Sequence, residues 1–87
     1  MNYDLRITRS ADRSLAKLPR TVQERIDLAI DQLATDPRPE GSQRLTGTEP
    51  IYRIRVGDYR VLYTVDDTDK IVTVVRIGHR REVYRGL

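Results

Sequence analysis

The chain has 87 residues, 38% of them hydrophobic and 33% charged, with a formal net charge of +3, no cysteine and one histidine, His79. That length suits a single domain over 1–87, burying roughly 60–65% of its unfolded surface, and the composition is too apolar for a disordered tail. Disulfide scaffolds, cysteine nucleophiles, iron–sulfur ligation and zinc sites are excluded together. The start Met1-Asn2-Tyr3-Asp4-Leu5-Arg6 has no basic-then-apolar leader pattern and no apolar run approaches the ~20 residues of a membrane span, so the expected location is the cytoplasm, without a membrane partner.

In chain order, Tyr3, Leu5 and Ile7 alternate with polar residues, which predicts a short strand with one buried face. Thr8 or Ser10 can then cap a helix whose stripe is Ala11, Leu15 and Leu18, stopped by Pro19. Thr21-Val22-Gln23-Glu24 reads as a capping box opening a second helix, with Val22, Ile26, Ala29, Ile30 and Leu33 on one side and Asp36-Pro37 at its end. Residues 36–50 hold three of the four prolines and two of the five glycines, and read as a surface loop. The runs 51–56 and 59–65 flank Gly57-Asp58, the signature of a two-residue hairpin of type II′ or I′. Counting outward from that turn pairs Val56 with Tyr59, Arg55 with Arg60, Ile54 with Val61, Arg53 with Leu62 and Tyr52 with Tyr63. One face then carries Tyr52, Ile54, Val56, Tyr59, Val61, Tyr63 and Val65, ready to bury the helices, and the other carries Arg53, Arg55 and Arg60. A polar loop with Asp66, Asp67 and Asp69 leads to a third β-branched run over 70–77, ended by Gly78, with alternation too weak to assign faces. Residues 79–87 form a short basic tail. The fold class is α+β: an N-terminal strand, then an αα-hairpin packed on a mostly antiparallel sheet of about four strands.

The charge is lopsided. Residues 1–50 carry eight Lys/Arg and eight Asp/Glu, whereas residues 51–87 carry eight and five, and 14 of the 16 cations are arginine. Arginine's planar fork suits bidentate contacts to phosphate, although codon bias also raises arginine content. Two arginines opposed across a hairpin, Arg55 and Arg60, repel by up to roughly 1 kcal/mol, a penalty that a bridging anion removes and that splayed, solvated side chains also ease. Arg76, Arg80, Arg81 and Arg85 follow, with Tyr84 among them. A ring that stacks on a base beside cations that hold phosphates is what single-stranded RNA binding needs, and a tyrosine near a chain end also serves as a packing anchor. His79 is the one side chain that ordinarily exchanges protons near neutral pH. The three aspartates fit a polar turn and call for no metal, and no cofactor-binding motif is present.

The helix hairpin ending in Asp36-Pro37-Arg38-Pro39, then Arg44-Leu45-Thr46-Gly47, Tyr52-Arg53-Ile54-Arg55, Asp58-Tyr59-Arg60-Val61-Leu62-Tyr63 and Gly78-His79-Arg80-Arg81-Glu82-Val83-Tyr84 together resemble the RelE/ParE superfamily of bacterial toxin–antitoxin systems, on its RelE branch. The resemblance spans nearly the whole chain and implies a RelE-like fold and a ribosome-dependent endoribonuclease that cuts mRNA in the ribosomal A site without a metal or small-molecule cofactor. It also implies a cognate antitoxin as partner. It assigns Arg60 to the transition-state phosphorane, Arg80 to leaving-group stabilisation or general acid work, and Tyr84 to stacking on or orienting the substrate nucleotide. Arg53 and Arg55 stand where relatives commonly carry lysine, and guanidinium groups are poor general bases. His79 is the candidate to carry the proton instead, and Arg53, Arg55, Arg76 and Arg81 are expected to contact RNA. Two other readings are a ParE-like inhibitor of DNA gyrase and a degenerate member without catalysis.

Overall fold

The computed structural model describes residues 2–45, 47 and 50–86; Thr46 of the Arg44-Leu45-Thr46-Gly47 motif and Leu87 at the end of the tail lie outside them. Strand β1 (Asp4–Ile7) leads into helix α1 (Arg9–Ala16), and Thr8 is the cap, its hydroxyl accepting the Ala11 amide at 3.2 Å. Helix α2 (Arg20–Leu33) starts differently from the expected capping box. Its N-cap is Pro19, with no side-chain cap bond. Proline fixes φ in a range that leads directly into a helix, so the helix opens ahead of Thr21. Glu24 faces Arg20 at 3.6 Å instead of reaching back, and Gln23 Nε2 donates to the Leu18 and Ala16 carbonyls at 2.8 and 3.3 Å, closing the end of α1.

Five strands form one sheet, one more than expected. The addition is β2 (Gln43–Arg44), two residues pairing antiparallel with β3 (Ile51–Val56), too short for any periodicity to announce it inside a loop of Pro and Gly. Strands β4 (Tyr59–Asp66) and β5 (Ile71–His79) complete the order β1-β5-β4-β3-β2, with β1 parallel to β5 and the other pairs antiparallel. The β3–β4 register is the one counted from the turn, pair for pair. Gly57 has φ 61 and Asp58 is not in the left-handed region, the type II′ pattern.

Strand β5 starts one residue later and runs two residues further than expected, through Gly78 to His79. Its poor alternation has a cause. Leu62 pairs with Arg76 and Tyr63 with Val74, so Val75 is the extra residue of a β-bulge and the inward set passes from Val72 and Val74 to Ile77. Those residues join Ala11, Leu15, Ile26, Leu33, Ile54, Val56, Val61 and Tyr63 in the core between helices and sheet. The Tyr63 hydroxyl donates to the Pro37 carbonyl at 2.8 Å, tying the loop after α2 to the sheet, and burial pushes its phenol up to about 12. No helix among the described residues is long and apolar enough to cross a membrane.

Candidate functional site

The sheet face turned away from the helices is organised in two rows. Cross-strand partners share a face, so one row reads Arg53, Leu62, Arg76 and the next Arg55, Arg60, Gly78. Leu62 is fully buried although it lies outside the main core, and gives the arginines an apolar floor. Val83 supplies the rest of the packing. It is buried at 4% exposure and sits in ordinary contact, 3.5 Å, with the place a Cβ on Gly78 would take. The tail is therefore anchored by Val83, while Tyr84 is exposed. Arg76 holds the tail too, with Nη1 donating to the carbonyls of Val83 and Arg85.

The repulsion expected between Arg55 and Arg60 is eased by their going separate ways. Arg55 stays exposed, whereas Arg60, at 9% exposure, folds onto its own turn, Nη1 donating to the Gly57 carbonyl at 3.0 Å and the Tyr59 carbonyl at 2.9 Å. Its other nitrogens make no protein hydrogen bond among the described residues. Arg80 is brought to the same corner, its amide donating to the Asp58 carbonyl at 2.8 Å while its side chain is exposed.

Arg53 is in a different position. It is also 9% exposed, and its Nη2 donates to Gln43 Oε1 across the β2–β3 pair. Its Nε is the one buried side-chain nitrogen or oxygen among the described residues without a hydrogen-bond partner. Such a donor costs about 1–3 kcal/mol, more when the group is charged. Gln43 had no signal in the sequence, because nothing in the loop composition marks a two-residue strand; Val83 could have been found as the lone β-branched residue in a basic tail.

His79 is set apart from these arginines. It pairs with Tyr59, on the side of the sheet that carries Val56 and Val61, and the two rings meet edge to face with centroids 5.6 Å apart. Its Nδ1 accepts the Arg81 amide at 3.2 Å, which leaves Nε2 to carry the proton of the neutral ring. The structure thus gathers Arg53, Arg55, Arg60 and Arg76 on one face, brings Arg80 to its corner, and leaves His79, Arg81 and Tyr84 along the rim formed by the tail.

Comparison with known proteins gives the arrangement a context. The family described as the ParE toxin of the type II toxin-antitoxin system, parDE, matches residues 5–84. The chain is 36% identical to toxin RelG of Mycobacterium tuberculosis over 98% of its own length and 99% of the relative's. It is 32% identical to the mRNA interferase toxin RelE of Escherichia coli over 97% and 92% of the two chains. The solved archaeal RelE–RelB complex from Pyrococcus horikoshii superposes with a TM-score of 0.83 at 31% identity, covering 95% of this chain and 100% of that one.

Proposed function

Since the chain belongs to the RelE/ParE superfamily of type II toxins, on its RelE branch, we propose that it is an mRNA interferase that cleaves mRNA in the A site of the translating ribosome. The observation that carries this reading is the face built from Arg53, Arg55 and Arg60, with Arg80 at its corner and no carboxylate paired to any of them among the described residues. A face of cations without counter-charges is suited to a polyanion.

In the proposed reaction the ribose 2′-hydroxyl attacks the adjacent phosphorus, the P–O5′ bond breaks, and a 2′,3′-cyclic phosphate and a 5′-hydroxyl are left. Arg60, preset by its two turn carbonyls, meets the charge that grows on the phosphorane, and Arg80 meets the departing 5′-oxygen. Tyr84, already exposed, stacks on a base, and Arg53, Arg55 and Arg81 hold neighbouring phosphates. Arg76 contributes mainly by fixing the tail that carries Arg80, Arg81 and Tyr84. His79 lies on the other side of the sheet, against Tyr59, so its proposed proton-carrying role through Nε2 requires the substrate to pass over the rim formed by the tail. With arginine at 53 and 55, the largest share falls to holding the 2′-oxygen in line, which contributes up to about 7–11 kcal/mol in favourable cases. The proposed stable partner is a cognate antitoxin, as in the RelE–RelB complex of P. horikoshii, and an acidic or amphipathic segment suits this face. An mRNA target places the action in the cytoplasm.

Mapping mRNA 5′ ends after adding the protein to a translating ribosome reaction tests the proposal. New ends within A-site codons, absent without ribosomes, are expected. Intact mRNA beside inhibited DNA gyrase would replace the reading with a ParE-like one; neither effect would leave a degenerate member.

A further inference from the structure

We infer that the edge of Arg53 formed by Nε and Nη2 is a fork for a phosphodiester, and that Gln43 is the positioning residue that occupies this fork until the anion displaces it. The inference deepens the RNA-cleavage reading and rests on it for the identity of the anion.

On a planar guanidinium, Nε and Nη2 project side by side at a spacing that matches two oxygens of one anion. A side-chain amide brings a single acceptor oxygen. Gln43 Oε1 takes one of the two Nη2 hydrogens, and Nε is left unpaired although the residue is about nine-tenths buried. The fork is therefore half filled. The two non-bridging oxygens of a phosphodiester fill both positions and bring the charge that Gln43 lacks. Among the described residues no carboxylate competes, the two ion pairs there being Arg20–Glu24 and Arg38–Asp67. Gln43 can also leave. It is exposed, on a two-residue strand at the sheet edge, and is joined to β3 through its backbone, so its amide can turn into water while the pairing with Arg53 persists. Arg55 and Arg60, in the next row of the same face, draw the anion in. Gln43 thus holds Arg53 in place before substrate arrives and competes weakly with it afterwards.

This makes opposite predictions for two substitutions at one position. Gln43→Glu supplies two oxygens and a charge, filling the fork permanently. Gln43→Ala empties it. The readout is the Nε–Hε resonance of Arg53 in the 15N-labelled full chain, identified by its loss in Arg53→Lys, during titration with inorganic phosphate and, separately, with a short RNA made uncleavable by 2′-deoxy substitution. In the wild type both ligands are expected to move the resonance. Gln43→Ala should respond at several-fold lower concentration of either. Gln43→Glu should not respond, and should melt higher by about 4–8 °C, the shift one extra well-made buried bond gives a domain of this size.

If Gln43→Ala and Gln43→Glu weaken the response alike and both melt lower, Gln43 is an ordinary support of the strand and the inference falls. A response to inorganic phosphate but not to RNA also overturns it, because the fork would then take free anions only. The cleavage reading fails separately. A wild-type chain whose Arg53 resonance moves with both ligands while mRNA on ribosomes stays intact would end that reading and keep the fork; cleavage with an unmoved Arg53 resonance would do the reverse.

Discussion

Arg38 and Arg53 lie on opposite faces of strand β3, Arg38 against Tyr52 and Arg53 one residue on, and they are treated in opposite ways. Arg38 is near the surface, yet all of its nitrogens are engaged: Nε donates to the Tyr52 hydroxyl at 3.2 Å, and Nη1 and Nη2 donate to the two oxygens of Asp67 at 3.3 and 2.7 Å. Its guanidinium also lies over the Tyr52 ring, 5.1 Å from the centroid. Asp67 and then Tyr52 hold it still more firmly protonated than an ordinary arginine. Arg53 is buried, where pairing matters most, and has one neutral acceptor. Among the described residues the fold therefore commits a carboxylate to fastening the loop after α2 to the β4–β5 turn, and none to the face that carries Arg53, Arg55 and Arg60. An arginine with a complete shell is structural; one with an incomplete shell, on a face of like charge, is open to a ligand.

The largest effects should separate these two classes. Arg80→Ala should reduce ribosome-dependent cleavage by about 10²–10³-fold, the usual loss when one preorganised donor to a transition state is removed, with the melting temperature nearly unchanged because the side chain is exposed. Arg60→Ala should lose activity similarly and also stability, since two turn carbonyls lose their donor. Arg38→Ala should do the reverse, leaving cleavage near wild type while loosening the loop. Equal loss of cleavage in Arg38→Ala and Arg80→Ala would erase the distinction. Next comes Leu62→Ala, which removes the floor beneath the arginines and should cost about 2–5 kcal/mol in urea unfolding, as large-to-small changes at buried sites do.

Much of this contrast was legible in the sequence because a two-residue turn carries register. Gly57-Asp58 sets which side chains oppose each other, so the arginine face and the Arg55–Arg60 conflict followed from counting. What stayed hidden depends on long-range packing. The bulge at Val75 costs β5 its alternation, β2 is too short to have any, and Pro19 displaced the cap that Thr21 and Glu24 resembled. Neither the Gln43 contact nor the edge-to-face placement of His79 on Tyr59 is written in local composition, because both depend on which strand ends meet.

Tyr63 gives a medium effect from the side that faces the helices. Its phenol is raised from 10.0 to about 12 by burial, so stability is full below pH ~10 and is lost as the pH rises through about 12, where the unfolded chain ionises first. Tyr63→Phe should abolish this alkaline loss and, at neutral pH, cost about 1–3 kcal/mol because the Pro37 carbonyl loses its donor. Melting curves taken from pH 8 upward would check both, and an unchanged alkaline slope in Tyr63→Phe would place the titration elsewhere.

The smallest effect belongs to Asp67, and its sign follows from its partners. Hydrogen bonds from Arg38 and then Tyr3 lower its carboxyl from 3.8 to about 2. A depressed folded value means the unfolded chain takes up the proton first, so the contribution is complete above pH ~4 and is lost as pH falls through about 2. Because Asp67 is at the surface, salt should weaken it. Thermal midpoints of the wild type should therefore decline more steeply between pH 4 and pH 2 than those of Asp67→Asn, with the gap narrowing as salt is added. Parallel declines would mean that the Arg38 shell rests on the Tyr52 hydroxyl and not on the carboxylate, and the contrast with Arg53 would then rest on hydrogen-bond count alone and not on charge.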